Sequence, residues 1–246
     1  MHKQKPVLRR IFLGARDLLF PPYCVVCGEL LPPFERTAVL CPVCREAWND
    51  ARVLAAESAA EAASRGHAYL VGYRSGKTDG VPERFVFHLK HKGDVRAFDF
   101  AAESLSVGVR VTLLSVDASD ARPPIVTYAP RSRAAIRKDG FDQAARLARA
   151  LSRAVQGEFC PLLRRNDSQS DECSKEQKTL DTQERVKNAK RAYALRRGAA
   201  DRVRGRTVIL CDDLCTTGAT LSRCGKLLTE AGAAAVVWAT VAQTEE

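Results

Sequence analysis

Residues 208–221 read VILCDDLCTTGATL, and few folds can use such a segment. Val208-Ile209-Leu210-Cys211 is an apolar run of the kind buried in a central parallel strand. It stops at Asp212-Asp213, which puts two carboxylates at the strand's C-terminal end, where ligands bind in open α/β sheets. Thr216, Thr217, Gly218, Ala219 and Thr220 follow and lead into an apolar helix. Small residues there let backbone N–H groups turn toward an anion, and the helix N-terminus favours negative charge. Threonine hydroxyls add donors. Adjacent carboxylates beside a bare phosphate would repel it, whereas a diol could donate to both. A phosphate at one end and a diol at the other describe a ribose 5-phosphate. A strand, a turn and a threonine N-cap would account for one threonine, but not for the acidic pair with TTGAT behind it. Neither a Walker A loop nor G-x-G-x-x-G occurs in the chain.

The periodicity around this segment predicts alternating strands and helices. Apolar spacing gives a helix over Val7 to Phe20, ended by Pro21-Pro22, and a helical stretch from Arg45 to Arg65. A first strand lies at Tyr69 to Tyr73 with a turn at Ser75-Gly76, and a helix covers Phe85 to Lys90. Then come a strand at Pro124 to Ala129, a helix from Asp142 to Val155 and a short strand over Phe159 to Leu163. After the polar interval Arg164 to Lys190 the chain ends as strand Thr207 to Asp212, helix Ala219 to Ala231 and strand Ala235 to Thr240. That alternation implies an α/β fold, a parallel sheet flanked by helices. At 246 residues there is room for one sizeable core and a small accessory module. The division expected is residues 1–64 and 65–246.

The accessory module is announced by cysteines. Cys24-x-x-Cys27 and Cys41-x-x-Cys44 are two pairs 13 residues apart, and four thiolates at that spacing close a structural Zn²⁺ site. The rival, a redox pair, needs only one C-x-x-C at a helix start. The other five cysteines lack a partner at ligand spacing and read as small hydrophobes, Cys215 included. Nine cysteines in a chain without an evident leader argue against disulfides and for a cytoplasmic protein. No apolar run reaches the ~20 residues of a membrane span.

Charge is uneven. The net +10 concentrates in 164–206, with 13 Lys/Arg against 7 Asp/Glu, and in 131–153, with 7 against 2. Such stretches suit a polyanion, nucleic acid or a phosphorylated substrate, or else a solvated arginine-rich face.

The strand, acidic pair and Thr/Gly turn resemble the ribose-phosphate loop of type I phosphoribosyltransferases. With the four cysteines, Phe20-Pro21-Pro22-x-Cys24, Leu89-Lys90-x-x-Gly93-Asp94, Gly140-Phe141-x-Gln143, Arg164-Arg165, Gln177 and Arg185-x-x-Asn188, the chain resembles the ComF family over almost its whole length. The resemblance implies a type I phosphoribosyltransferase-like domain that binds phosphoribosyl pyrophosphate with Mg²⁺. Asp212 and Asp213 would hold the ribose hydroxyls; Thr216, Thr217, Gly218, Ala219 and Thr220 would hold the 5′-phosphate. Arg131, Arg133, Lys178 and Arg185 are candidates for the pyrophosphate. One departure stands out: Asp139-Gly140-Phe141-Asp142-Gln143 replaces the family's usual Arg-Gly-Phe-Asn-Gln. The family's link to competence implies single-stranded DNA and DNA-uptake proteins as partners. A nucleobase-salvage transferase is the other function open to such a chain, with 66–94 as the only stretch suited to cover a base.

Overall fold

The computed structural model describes residues 21–32, 35, 38–76, 79–116, 122–166 and 192–245. The helix expected over Val7 to Phe20 lies outside them. In chain order the elements are α1 (Pro42–Leu54), α2 (Ala56–Ser64), β1 (His67–Tyr73), α3 (Val81–His91) and α4 (Val95–Ser115). Next come β2 (Ile125–Tyr128), α5 (Arg133–Asp139), α6 (Gln143–Ala154), β3 (Glu158–Phe159), β4 (Leu163–Arg165) and β5 (Tyr193–Leu195). The chain closes with α7 (Ala199–Val203), β6 (Thr207–Cys215), α8 (Ala219–Glu230) and β7 (Ala235–Thr244).

Five strands form one sheet in the order β1-β7-β6-β2-β3, and every pairing in it is parallel. Helices flank it, as the alternation predicts. The β4–β5 pair is a separate antiparallel ribbon. From β2 the chain crosses outward to β3, and from β6 it crosses the other way to β7. The switch in direction falls between β2 and β6, and open α/β sheets bind ligands in the crevice outside the strand ends at that point.

Four boundaries differ from the periodicity. The helical stretch over 45–65 divides at Ala55 into α1 and α2. The expected strand over 159–163 splits, because Pro161 has no N–H to continue the ladder; Cys160 N still bonds Val126 O at 3.0 Å, and Leu162 N turns to Thr127 Oγ1 at 3.1 Å. A short helix, α5, occupies the loop after β2, capped by Ser132 on Ala135 N at 3.2 Å and ended by Gly140 at φ 79°. The longest helix among the described residues, α4, has no counterpart among the periodic segments. Its Val107-Gly108-Val109 run is poor helix material. The Asp94 side chain caps it on Arg96 N at 2.9 Å, and Ala97, Phe98, Ala101, Ala102, Leu105 and Val109 bury one face.

The cysteine module is not a free appendage. Trp48 of α1, 1% exposed, meets Phe85 of α3 at 4.7 Å between ring centroids and Phe100 of α4 at 5.9 Å. One hydrophobic core therefore runs from Cys24 and Leu40 through Leu89 and Leu105 to Ile209 and Val241. Among the described residues no helix is long and apolar enough to cross a membrane.

Candidate functional site

Val208, Ile209, Leu210 and Cys211 are fully buried, as a central strand requires. β2 accompanies β6 only as far as the Tyr128–Cys211 pair. Beyond it β6 does not become loop, as the sequence suggests. β7 alone carries it on, pairing Asp212 with Thr240, Leu214 with Ala242 and Cys215 with Gln243. The acidic pair thus sits on a strand that is paired on one side and open on the other, at the switch point.

Asp213 is buried and Asp212 half-buried. Burial pushes the Asp212 carboxyl well above the ordinary carboxylate range, and the neighbouring charge of Asp213 adds to it. Asp142 raises it further. That residue caps α6 on Ala145 N at 3.1 Å and accepts Arg131 N at 3.3 Å, yet burial holds its own carboxyl high too. Two side chains answer the charge on Asp213: Gln143 donates to Oδ2 at 3.3 Å, and Lys90 Nζ stands 3.8 Å from the same oxygen. Nothing in the periodicity marks either residue for this task. Both lie in stretches that carry the family resemblance, Leu89 to Asp94 and Gly140 to Gln143, but only the packing of α3 and α6 against β6 brings them to Asp213. Three carboxylates with so little compensation can accept from hydroxyl donors or a cation.

After Cys215 the chain bends through Thr216 and Thr217, both exposed, to Gly218 at φ 70°, the N-cap of α8. A side chain at Gly218 would be strained by that φ, so glycine is required for the turn. The Thr217 hydroxyl accepts Ala219 N at 3.4 Å, and Ala219 is exposed. Most N–H groups of the first α8 turn have no partner within the helix, which leaves donors and the positive end of the dipole facing outward. Thr220 lies half-buried beside Tyr193 of the β4–β5 ribbon, whose hydroxyl takes Arg165 Nη1 at 3.1 Å. Burial pushes the Cys215 thiol up, so it is a poor nucleophile here and packs as a hydrophobe.

The other candidates divide. Arg131 lies in the loop after β2, on the opposite side of the switch point, with Nη2 2.8 Å from Asp139 and Nη1 buried without a hydrogen-bond partner among the described residues. Arg131 and His91 together hold Asp139 below the usual carboxylate range. Arg133 opens α5 and is exposed. Lys178, Arg185 and Gln177 lie outside the described residues.

Cys24, Cys27, Cys41 and Cys44 come together with all four Sγ atoms within 4.8 Å of one another. Cys27 and Cys41 stand 3.7 Å apart, too far for a disulfide and close to the ~3.8 Å edge of a tetrahedron with ~2.3 Å Zn–S bonds. Burial opposes ionisation of Cys24, but the N–H groups of Cys27, Cys41 and Val26 outweigh it and bring the thiol down to about 7. Backbone donors aimed at sulfur are what a thiolate ligand needs. The donor set fits structural zinc, which would tie the 23–30 turn to the start of α1.

No curated protein sequence matches the chain. Among solved structures, one described as the allosteric regulatory enzyme of purine biosynthesis is 17% identical with a TM-score of 0.38, covering 63% of this chain. The matched part spans 30% of that structure's length. Residues 134–246 match the family model of the phosphoribosyl transferase domain. The match takes in α6, the acidic pair, the Thr/Gly turn and the last strand. Over that stretch the chain is similar to phosphoribosyl transferase domains, and its five-stranded parallel sheet with a four-cysteine module ahead of it is a phosphoribosyltransferase-type fold.

Proposed function

We propose that the switch point between β2 and β6 binds 5-phosphoribosyl 1-pyrophosphate. The observation that carries this reading is the acidic pair held on one-sided β6 directly before an open helix N-terminus. Asp212 and Asp213 accept the ribose hydroxyls. Thr216, Thr217, Gly218, Ala219 and Thr220 surround the 5′-phosphate with hydroxyls and backbone N–H groups. Arg131 and Arg133 are the candidates for the pyrophosphate, with Lys178 and Arg185, outside the described residues, as further candidates by sequence. Mg²⁺ arriving on the donor's pyrophosphate would supply charge neutralisation. The chain contributes orientation and electrostatic stabilisation, and transfer from C1 needs no protein nucleophile.

The reading extends to a ComF-like role in handling single-stranded DNA during uptake, and α6 supports it. Arg146, Arg149 and Arg153 project from one exposed face of this helix. The Arg146 guanidinium lies 4.3 Å from the centroid of the Phe141 ring, and that of Arg149 lies 4.3 Å from that of Phe159. Phe159 stacks in turn on Tyr128. Cations interleaved with aromatic faces suit a single strand, whose bases stack while its phosphates pair with arginine. The test is binding of an oligodeoxynucleotide over a salt series, with Arg146→Ala, Arg149→Ala and Arg153→Ala combined. The triple variant should bind more weakly, with a log–log salt slope reduced by about 2, at roughly 0.7 per lost phosphate contact. An unchanged slope would remove α6 from the interface, and no binding at low salt would remove DNA from the function. Titration with phosphoribosyl pyrophosphate and Mg²⁺ tests the donor site separately.

A further inference from the structure

Asp139 occupies an unfavourable place for a carboxylate. It is the last residue of α5, at the negative end of the helix dipole, behind Arg137 and Lys138, which suit that end. No residue of α5 is fully buried, yet the Asp139 side chain is only 7% exposed. Contacts from two other segments hold it there. Arg131 Nη2 lies 2.8 Å from its Oδ2, and His91 Nδ1 lies 3.2 Å from its Oδ1. The bond from Arg131, and after it the contact with His91, keeps the carboxyl below the usual range, so it is ionised at neutral pH. His91 follows Lys90, which stands beside Asp213, so the end of α3 meets an acid on each side of the switch point.

The same contacts close off Arg131. Its side chain is 20% exposed, and Nη1 is buried without a hydrogen-bond partner among the described residues. As it lies, the guanidinium has one nitrogen on a carboxylate and another with no surface to offer a ligand. An arginine fork takes carboxylate and phosphate oxygens in the same geometry, so Asp139 is the chemical rival of any phosphate that uses Arg131. An unpaired buried donor opposes the closed form, which favours release when a better acceptor arrives. The backbone is held meanwhile, because Arg131 N donates to Asp142 Oδ2 at 3.3 Å. Release is therefore a rotation of the side chain alone, and it leaves Asp139 with His91 as its partner.

We propose that Asp139 is an autoinhibitory counter-ion: it sequesters Arg131 in the free protein, and the donor's pyrophosphate must displace it to engage that arginine. The inference rests on the reading of Arg131 as a pyrophosphate residue and adds the regulation of that contact. Affinity for the donor is then set by a competition inside the protein.

Two measurements test it. Phenylglyoxal modification of arginines in the protein without ligand, mapped by mass spectrometry, reads the ion pair directly. Arg131 should react slowly in the wild type and severalfold faster in Asp139→Asn, which keeps the shape and removes the charge. Equal rates overturn the lock, whatever the ligand. Titration with phosphoribosyl pyrophosphate and Mg²⁺ reads the consequence: Asp139→Asn should bind roughly tenfold more tightly than the wild type. That gain should vanish when Arg131→Ala is present in both proteins, because it acts through the arginine. A gain that persists without Arg131 would mean only that one negative charge fewer attracts an anion, and it overturns the proposal. So does unchanged affinity in Asp139→Asn while the wild type binds. Absence of binding in both proteins overturns the donor-site reading itself, and the role of the lock falls with it.

Discussion

Lys90 Nζ lies 3.8 Å from Asp213 Oδ2, linking the last turn of α3 to the acidic end of β6. The pair joins two segments 123 positions apart and sets a cation beside the acidic pair. Replacing Lys90 by Met keeps the aliphatic stem and removes the charge. The acidic pair would then repel an anionic donor unrelieved, so phosphoribosyl pyrophosphate should bind roughly tenfold more weakly, the effect of about 1.4 kcal/mol. Calorimetry against the wild type measures it, and equal affinities would mean the contact is incidental.

Asp212 carries a cost in the free protein. Its carboxyl is pushed up by burial and by Asp213, so the ionised pair opposes folding near neutral pH. Asp212→Asn removes the repulsion without changing shape. The melting temperature should rise by roughly 2–4 °C, as about 1 kcal/mol gives for a chain of this size. Binding of phosphoribosyl pyrophosphate should be lost in the same variant. A lower melting temperature would show that Asp212 is structurally required and not retained for a ligand.

Purified chain should contain about one zinc, the stoichiometry of a closed four-thiolate site. Cys27 is exposed and can be changed to Ser without opening the core. Metal analysis of Cys27→Ser should fall below about half of that content, with a lowered melting temperature because the 23–30 turn loses its tie to α1. Full metal content in the variant would exclude Cys27 as a ligand.

His67 sets an acid limb on stability. It is 8% exposed and meets Thr240 Oγ1 at 2.8 Å. Burial lowers its pKa to about 4, with the charge of Arg65 adding to the effect. The folded chain keeps the ring neutral where the unfolded chain binds a proton. Its contribution to stability is therefore complete above pH ~6.5 and declines as the pH falls toward 4. Between pH 7.5 and 5 the loss should be on the order of 2 kcal/mol. Urea midpoints at the two pH values measure it, and His67→Gln should shrink the difference. An undiminished difference in that variant would assign the acid limb to other groups.

Much of this was legible in the chain. The apolar run before Asp212 announced a central strand, since burial on both faces leaves no room for alternation. Asp142 marks a helix start by capping chemistry that acts within three residues. Other features were not legible. Helix α4 rests on packing that overrides the poor propensity of its valines, and α5 fits inside what reads as a loop. The run of β6 to Cys215 exists because β7 extends beside it.

The sequence by itself determined the local chemistry: two carboxylates, a Thr/Gly turn and two cysteine pairs, each specified by neighbours a few positions apart. Tertiary structure decided what those groups face. It closed the cysteine pairs into one cluster, set the Thr/Gly turn across the switch point from Arg131, and brought Lys90 and Gln143 to Asp213. The approach of Lys90 and Gln143 to Asp213 comes from the order and register of parallel strands, which long crossovers establish, and no short window of sequence contains both partners.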